Sequence, residues 1–204
     1  MSTGHKLCVV DDDENVRLSL RALLESAEYA VEDFDSALRY LASASLARCD
    51  CLIVDVRMPE MNGLELQEEL SRRGFGFPVV VITGHGDVSL AVRAMKGGAL
   101  DFIEKPFDEE ILLAAIRRAL EVGKRARDEA AEARAAKDLL ALLTPRERHV
   151  LDQLVAGRSN KVAAYELGIS PRTIEIHRAR IMDKMHVRSL SEVVRIALAA
   201  ARTA

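Results

Sequence analysis

The stretch Cys51-Leu52-Ile53-Val54-Asp55 decides the fold, because it is a short apolar run that stops abruptly on a carboxylate. A continuous apolar run of this length indicates a strand that is buried on both faces, as in a parallel sheet. Asp55 then lies at the carboxyl end of the strand, which is the edge where open α/β sheets bind ligands. The stretch therefore predicts a parallel sheet with a polar site over its strand ends.

Three further apolar runs end in the same way. Leu7–Val10 precedes Asp11 and Asp12, Val79–Ile82 precedes Thr83, and Leu100–Ile103 precedes Glu104 and Lys105. Val31–Phe34 is a weaker fifth candidate, and segments with helical spacing of apolar residues separate the runs. Strands that alternate with helices predict βαβ units, and hence a mostly parallel, doubly wound α/β sheet of five strands.

The residue types at these strand ends indicate phosphoryl chemistry. Three crowded carboxylates, Asp11, Asp12 and Asp55, repel one another, and a hard divalent cation such as Mg²⁺ relieves the repulsion. A carboxylate beside such an ion can act as a nucleophile towards a phosphoryl group. Thr83 can donate a hydrogen bond to that group, and Lys105 can supply positive charge. Each residue alone reads as a solvated loop residue, but their joint position at four strand ends favours a site.

Composition indicates a cytoplasmic protein with two unlike halves. No apolar run reaches the roughly 18 residues of a membrane span, and the N-terminal residues lack the pattern of a signal peptide. The three cysteines, Cys8, Cys49 and Cys51, are interpreted as buried reduced thiols. Residues 1–122 carry 13 Lys and Arg against 22 Asp and Glu, a net −9, whereas residues 144–204 carry 11 against 6, a net +5. The basic end is a candidate for nucleic-acid binding.

Residues 108–143 contain no proline and are rich in Ala, Glu and Arg. They form either one helix or two helices that meet near Gly123, because a long helix tolerates one glycine. Residues 123–143 have few large apolar side chains. They predict a solvated helical linker, with a short coiled-coil contact and a partly frayed linker as alternatives.

The last segment, residues 144–204, predicts an all-α domain of four helices. Thr144-Pro145-Arg146-Glu147 has the pattern of a capping box with proline in the first turn. Ser159 caps a second helix, which Gly168 ends, and Ser170-Pro171 starts a third helix that reaches about Met185. Two helices joined by a short turn that contains glycine indicate a helix-turn-helix.

The helix over residues 171–185 has two distinct faces. Ile174, His177, Ile181 and Met185 are assigned to the domain core, and the opposite face carries Arg172, Glu175, Ile176, Ala179 and Asp183. Ile176 suits a thymine methyl, Glu175 suits a cytosine amine, and small Ala179 lets the helix enter a DNA groove. His177 is read as a packed or phosphate-bonded side chain. The candidates for phosphate contacts, each of which also reads as a solvated residue, are Asn160, Lys161, Thr173, Arg178, Arg180 and Lys184.

Residues 5–122 resemble the receiver domain of a two-component response regulator. The matching marks are Asp11-Asp12, Asp55, Met58-Pro59, Gly63, Thr83-Gly-His-Gly-Asp87 and Asp101-Phe-Ile-Glu-Lys105-Pro106-Phe107. The resemblance implies a flavodoxin-like (βα)5 sheet of order 2-1-3-4-5, in which Asp55 accepts phosphate from a sensor histidine kinase. Mg²⁺ is then held by Asp11, Asp12, Asp55 and the main-chain carbonyl of Arg57. Lys105 pairs with the phosphoryl group, Thr83 and Phe102 form the switch, and the peptide bond between Lys105 and Pro106 is cis.

Residues 144–204 resemble the LuxR-type helix-turn-helix of NarL/FixJ-type regulators. The match rests on Thr144-Pro-Arg-Glu-Arg148, Gly157, Asn160-Lys161, Ile169-Ser-Pro-Arg-Thr-Ile-Glu-Ile-His177 and Lys184-Met185, while Val162-Ala163 departs from the common pair. The resemblance implies binding of double-stranded DNA at a two-fold operator through residues 171–185, and contact with RNA polymerase. It also implies a homodimer on phosphorylation, through the face of Val88–Lys96, Ala99–Ile103 and Asp108–Val122.

The sequence is therefore interpreted as a phosphorylation-switched transcription factor rather than an enzyme. The opposite net charges allow the unphosphorylated receiver to mask the basic domain. One rival is an aspartyl-phosphate hydrolase, but such enzymes need a second acid at the position of Arg57. Another rival is a constitutive DNA-binding protein whose receiver pairs without phosphate. Arg57 and His85 are the residues expected to influence the lifetime of the phosphate.

Overall fold

The structure is a computed structural model that describes residues 4–84 and 88–202. Its internal contacts divide the chain into two units, Met1–Arg125 and Ala126–Ala204. Within the described residues, no helix combines the length and apolarity that a membrane span needs.

The first unit is a five-stranded parallel sheet with helices on both faces. The strands are β1 Lys6–Val10, β2 Ala30–Phe34, β3 Cys51–Asp55, β4 Val79–Thr83 and β5 Asp101–Glu104. All neighbouring pairs are parallel, and the order is β2-β1-β3-β4-β5, as predicted. The helices are α1 Glu14–Ser26, α2 Ala37–Ala42, α3 Gly63–Arg72, α4 Val88–Lys96 and the first part of α5 Glu109–Ala141, with a 3-10 turn at Ala44–Arg48.

The apolar run of β3 is continuous because both of its faces are covered. All five residues are buried; Leu52 and Val54 face α2, α3 and α4, whereas Cys51 and Ile53 face α1 and α5. Burying an aliphatic side chain of this size contributes about 1.5–3 kcal/mol. The cysteines are buried and free, as interpreted, and burial raises the pKa of the Cys51 thiol.

Helix α5 is continuous over 33 residues, so the alternative of two helices that meet at Gly123 is wrong. A Cβ atom at Gly123 would lie 3.0 Å from Cδ of Pro78, and the glycine therefore serves a close approach rather than a break. Most residues of the linker are exposed, as predicted, but a few are not. Ala133 and Ala136 are buried, and Ala136 packs with Ala199 and Ala200, because small side chains let two helices approach closely.

The second unit contains four helices after α5, as predicted: α6 Pro145–Val155, α7 Asn160–Leu167, α8 Pro171–Lys184 and α9 Leu190–Ala201. The capping box is present, since Thr144 N–H donates to Glu147 at 2.8 Å and Glu147 N–H donates to Thr144 Oγ1 at 3.3 Å. Gly168 ends α7 in the left-handed conformation, with φ of 63°, which suits glycine. Val150, Ile174, Ile181, Met185 and Val193 form the core of this unit.

Candidate functional site

Four strand ends bring the predicted acid, hydroxyl and amine groups to one edge of the sheet. Asp11 follows β1, Asp55 ends β3, Thr83 ends β4 and Lys105 follows β5. The Lys105 Nζ donates to Asp11 Oδ2 at 2.7 Å and to Asp55 Oδ1 at 2.8 Å. Two carboxylates thus share one ammonium. We call these three side chains, together with the exposed Asp12, the acid pocket.

Backbone groups orient the remaining carboxylate oxygens of the acid pocket. Asp11 Oδ1 accepts the N–H of Asp13 at 2.9 Å, and Asp55 Oδ2 accepts the N–H of Arg57 at 2.5 Å. Gly63 allows α3 to start against this strand end, because a Cβ there would lie 2.1 Å from the Asp55 carbonyl oxygen. The fold therefore fixes both carboxylates before any ligand binds.

The electrostatics of the acid pocket show an excess of negative charge. Burial raises the pKa of Asp11 above its ordinary value, and its hydrogen bond with Lys105 only partly offsets this effect. Burial also disfavours the charged form of Lys105, but the hydrogen bonds to Asp11 and Asp55 outweigh it and raise the pKa of the ammonium. A site of this kind favours a ligand that brings further positive charge.

The donor atoms fit Mg²⁺ by type. Asp11, Asp12, Asp55 and the Arg57 carbonyl offer only oxygens, and Mg²⁺ needs few protein ligands because it keeps several waters. Among residues 4–84 and 88–202, no three His, Cys, Asp or Glu side chains already form a metal cage. Lys105 bridges two of the acids, and Asp12 is exposed to solvent beside them.

The predicted switch residues flank the acid pocket. Thr83 is fully buried, and its carbonyl accepts the N–H of Lys105 at 2.7 Å. Phe102 is half-buried and packs against the core cluster on the α2, α3 and α4 side of the sheet. The peptide bond between Lys105 and Pro106 is cis, as the resemblance implied. His85, expected to influence the phosphate lifetime, lies outside the described residues.

A cavity of about 600 Å³ opens beside the acid pocket. Asp12, Arg57 and Arg93 line it together with apolar side chains that include Met58 and Leu90. The cavity therefore gives a ligand access to the side of the acid pocket where Asp12 is exposed.

Sequence analysis missed one polar residue behind the acid pocket. Arg17, on the first turns of α1, donates from Nη1 to the Asp11 carbonyl at 2.8 Å, and its Nε lies 3.3 Å from Asp33 Oδ2. Neither partner is close enough to Arg17 in the sequence to form a local helical pair with it; only its position one helical turn after Asp13 placed it near the acids. Asp11 follows β1 and Asp33 lies in β2, so the two partners come together only because these strands are neighbours.

In the second unit, α8 presents the face that was predicted to be exposed. Ile174, Ile181 and Met185 are buried, whereas Ile176 is 46% exposed. The residues of the predicted face that are also exposed are Arg172, Glu175, Ala179 and Asp183, and the exposed phosphate candidates are Lys161 and Arg180. His177, assigned to the core face, is only half-buried, and within the described part of the chain its buried Nδ1 has no hydrogen-bond partner.

Three predicted phosphate contacts are engaged within the domain. Arg178 Nη1 donates to Asn160 Oδ1 at 2.8 Å, which joins α8 to α7. Thr173 shares a 2.8 Å hydrogen bond with the Ser170 hydroxyl at the start of α8.

Lys184, the fourth of these predicted contacts, also has partners within the domain. Its Nζ donates to Glu147 Oε2 at 2.7 Å and to the Leu142 carbonyl at 3.3 Å. Glu147 is only 3% exposed, and a buried carboxylate requires a partner of opposite charge. Lys184 therefore stabilises the domain, and its contact with a DNA phosphate stays a prediction.

Two family models match the chain. The response regulator receiver domain matches residues 7–117, and the bacterial regulatory proteins of the luxR family match residues 141–197. The chain is 50% identical over 193 residues to the transcriptional regulatory protein FixJ of Azorhizobium caulinodans, covering 94% of this chain and 91% of that protein. It is 44% identical over 188 residues to the response regulator protein TodT of Pseudomonas putida, covering 92% of this chain and 83% of that protein.

Solved structures agree with these matches. The response regulator StyR aligns with a TM-score of 0.80 at 44% identity, covering 94% of this chain and 97% of that chain. Full-length FixJ from B. japonicum aligns with a TM-score of 0.60 at 44% identity, covering 98% of each chain.

The chain therefore belongs to the response regulators that join a receiver domain to a LuxR-type DNA-binding domain. Within that class it is of the NarL/FixJ type, and its function is phosphorylation-activated regulation of transcription. The FixJ relative is a transcriptional regulatory protein, and receiver domains of this family typically bind Mg²⁺ at the site of phosphorylation.

Proposed function

We propose that a sensor histidine kinase phosphorylates Asp55 and that this modification switches DNA binding. The observation that carries the proposal is the contact of Lys105 with both Asp11 and Asp55 at the strand ends. A carboxylate oxygen of Asp55 attacks the phosphorus of the phosphohistidine, and the bond from phosphorus to nitrogen breaks with its electron pair left on the imidazole. Lys105 then exchanges Asp55 Oδ1 for a phosphoryl oxygen.

We assign the Mg²⁺ site to the carboxylates of Asp11, Asp12 and Asp55 and to the carbonyl of Arg57. When bound, the ion offsets the negative charge of the phosphoryl group. The oxygen-only donor set and the excess negative charge of the acid pocket support this assignment. Asp11 and Asp55 are already oriented by backbone N–H groups, and Asp12 is exposed beside them.

We propose that Thr83 and Phe102 transmit the change. Thr83 lies one sheet position from Asp55, since β4 pairs with β3, and its hydroxyl can donate to the phosphoryl group. Phe102 lies on the neighbouring strand β5, opposite Val81 of β4, and is only half-buried, which leaves it room to pack further inward.

The altered face then joins two receivers into a homodimer through Val88–Lys96, Ala99–Ile103 and Asp108–Val122. Val88, Val92 and Met95 support this proposal, because they share one face of α4 and are 82%, 45% and 50% exposed. Ile111 on α5 is 55% exposed and adds apolar surface. Arg118 and Asp101 form an ion pair that joins α5 to β5 within the same face.

The dimer is proposed to bind a two-fold operator on double-stranded DNA through α8, with the receiver at residues 5–122, the linker at 123–143 and the DNA-binding domain at 144–204. Glu175, Ile176 and Ala179 face the bases. The phosphate contacts are assigned to Asn160, Lys161, Thr173, Arg178, Arg180 and Lys184. Arg172 lies on the same face as Glu175, and His177 is assigned as a packed or phosphate-bonded side chain. We place the protein in the cytoplasm, where it meets its operator and RNA polymerase.

Sedimentation of the full-length protein with Mg²⁺ and acetyl phosphate tests the switch. The wild type is expected to gain mass towards a dimer, whereas Asp55→Asn stays at its starting mass because the amide cannot attack phosphorus. Omission of Mg²⁺ from the wild type is the matched control. A dimer of Asp55→Asn under the same conditions would contradict the proposal and favour pairing that is independent of phosphate.

DNA binding of the phosphorylated protein at several salt concentrations separates the two kinds of contact. Ile176→Ala and Glu175→Gln are expected to change the preferred base at one operator position, at about 1–3 kcal/mol for a lost base contact. Lys161→Gln and Arg180→Gln are expected to weaken all sequences alike and to reduce the salt slope by about one. Arg195→Gln on α9 is the control for the charge change, and an equal loss in that variant would contradict the assignment of α8.

A further inference from the structure

Arg17 of α1 is a mostly buried cation for which the proposed chemistry has no role. Its side chain is only 13% exposed. It makes two contacts near the acid pocket, one with the main-chain carbonyl of Asp11 and one with the carboxylate of Asp33. A buried charge is costly unless it is paired and hydrogen-bonded, so this position requires a guanidinium with both partners in place.

Asp33 holds Arg17 in this position. It lies on β2 directly opposite Val9 of β1, so its carboxylate reaches the end of the strand that leads into Asp11. Arg21, one turn further along α1, forms an ion pair with the other oxygen of Asp33 and is 40% exposed. The two arginines therefore share one carboxylate, and Arg17 occupies the buried side.

These contacts fix the backbone of Asp11 from both sides. The Asp11 N–H donates to the Phe34 carbonyl at 3.2 Å, and the Asp11 carbonyl accepts Arg17 Nη1 at 2.8 Å. That carbonyl belongs to the planar peptide group between Asp11 and Asp12. Its orientation sets the direction in which the Asp12 side chain leaves the backbone.

We propose that Arg17 is a positioning residue for the acid pocket, which orients the peptide between Asp11 and Asp12 so that both carboxylates can hold Mg²⁺. The inference rests on the proposed assignment of Asp11 and Asp12 to that ion. Because the guanidinium binds the backbone and Asp33, it adds positive charge near the acids without taking a metal position. A lysine has one compact ammonium in place of the planar guanidinium, so it cannot reproduce the two separate nitrogens that contact the Asp11 carbonyl and Asp33.

The affinity of the full-length protein for Mg²⁺, measured by isothermal titration calorimetry without a phosphodonor, tests the proposal. Arg17→Gln is expected to weaken binding by about 10- to 100-fold, the range found when a residue that orients a metal ligand is removed. Arg21→Gln, which removes the exposed partner of Asp33, is the matched control and should stay within about twofold of the wild type. Arg17→Lys should fall between them.

A second readout separates positioning from general loss of structure. At saturating Mg²⁺, Arg17→Gln should be phosphorylated by acetyl phosphate at close to the wild-type rate, and at low Mg²⁺ it should be slow. A variant that was merely less stable would show the same deficit at both concentrations. That result, or an unchanged affinity for Mg²⁺, would overturn the proposal.

Asp12→Asn distinguishes failure of this inference from failure of the proposed function. If Asp12→Asn weakens Mg²⁺ binding and Arg17→Gln does not, positioning by Arg17 is wrong and the metal assignment stands. If neither variant changes the affinity, the metal assignment itself is wrong. If Arg17→Gln does not fold, Arg17→Lys decides, and wild-type affinity in that variant would refute the role of Arg17.

Discussion

The two units each contain a lysine in contact with a buried carboxylate, and the two contacts differ in how the charge is balanced. Lys184 meets Glu147 at 2.7 Å in the DNA-binding domain, and Lys105 meets Asp11 at 2.7 Å in the receiver. Lys184 contacts one carboxylate, and that carboxylate also accepts hydrogen bonds from the backbone N–H and the hydroxyl of Thr144. Lys105 serves two acids, with a third exposed beside them.

The pKa shifts of the two acids have opposite signs. The hydrogen bond from Lys184 lowers the pKa of Glu147 to about 2, whereas burial raises the pKa of Asp11. The pair in the DNA-binding domain is satisfied and stabilises the fold. The acid pocket is left with excess negative charge, which costs stability and favours the binding of a cation. Similar contacts thus serve structure in one unit and chemistry in the other.

The largest effect on stability is expected when the contact between Lys184 and Glu147 is broken. Lys184→Met leaves the Glu147 carboxylate buried without its ammonium, and we expect a loss of about 2 kcal/mol in the free energy of unfolding of the domain. For a domain of this size the melting temperature should fall by about 10 °C. Urea unfolding followed by the NMR signal of buried Ala163 measures it. Arg180→Met is the control on the exposed face of α8. An equal loss of stability in that variant would mean that the contact of Lys184 with Glu147 has no special stabilising role.

The sequence was sufficient for the fold because its signals are local. The apolar run of β3 and the caps at Thr144, Ser159 and Ser170 lie within a few residues of the elements that they define. The lysine contacts could be predicted only in part. The position of Lys105 at a strand end placed it in the acid pocket, whereas the partner of Lys184 lies 37 residues away on another helix. No local pattern therefore indicated the contact of Lys184 with Glu147.

The features that the sequence did not predict depend on contacts between separate helices and strands. Gly123 was considered a possible break in α5, but its role depends on the approach of Pro78, which no local pattern records. The linker alanines were read as solvated because each is small, yet Ala136 packs against α9. Arg17 was missed because its partners, Asp11 and Asp33, meet only when β1 and β2 are paired.

The next prediction is that Glu147 makes the stability of the DNA-binding domain depend on pH. The pKa of Glu147 in the folded state is about 2, below its ordinary value of 4.5, so its contribution is present above about pH 4.5 and is lost as the pH falls towards 2. Glu147→Gln should therefore reduce the loss of stability between pH 5 and pH 3. The same Ala163 signal in urea at both pH values tests it. An unchanged slope would mean that other acids control the acid transition.

Removal of a negative charge from the acid pocket is expected to raise the stability of the receiver, whereas Lys184→Met lowers the stability of the DNA-binding domain. Without Mg²⁺, Asp55→Asn should stabilise the receiver by about 1 kcal/mol, because it removes a negative charge beside Asp11 while the amide oxygen can still accept from Lys105. Addition of Mg²⁺ should stabilise the wild type more than the variant, since only the wild type retains all three acids. A destabilised variant would show that Lys105 already balances both carboxylates.

The smallest effect is expected for a carboxylate whose pKa is lowered at the surface. Contacts with Arg72 and Arg73 lower the pKa of Glu69 on α3 to about 2, the same value as for Glu147. The two arginines are 73% and 40% exposed, so solvent screens their contacts with Glu69. These contacts therefore contribute little to the free energy of unfolding. Glu69→Gln should therefore change the melting temperature by no more than about 1 °C in a thermal scan. A shift as large as that of Lys184→Met would mean that the lowered pKa, rather than burial of the pair, decides the contribution to stability.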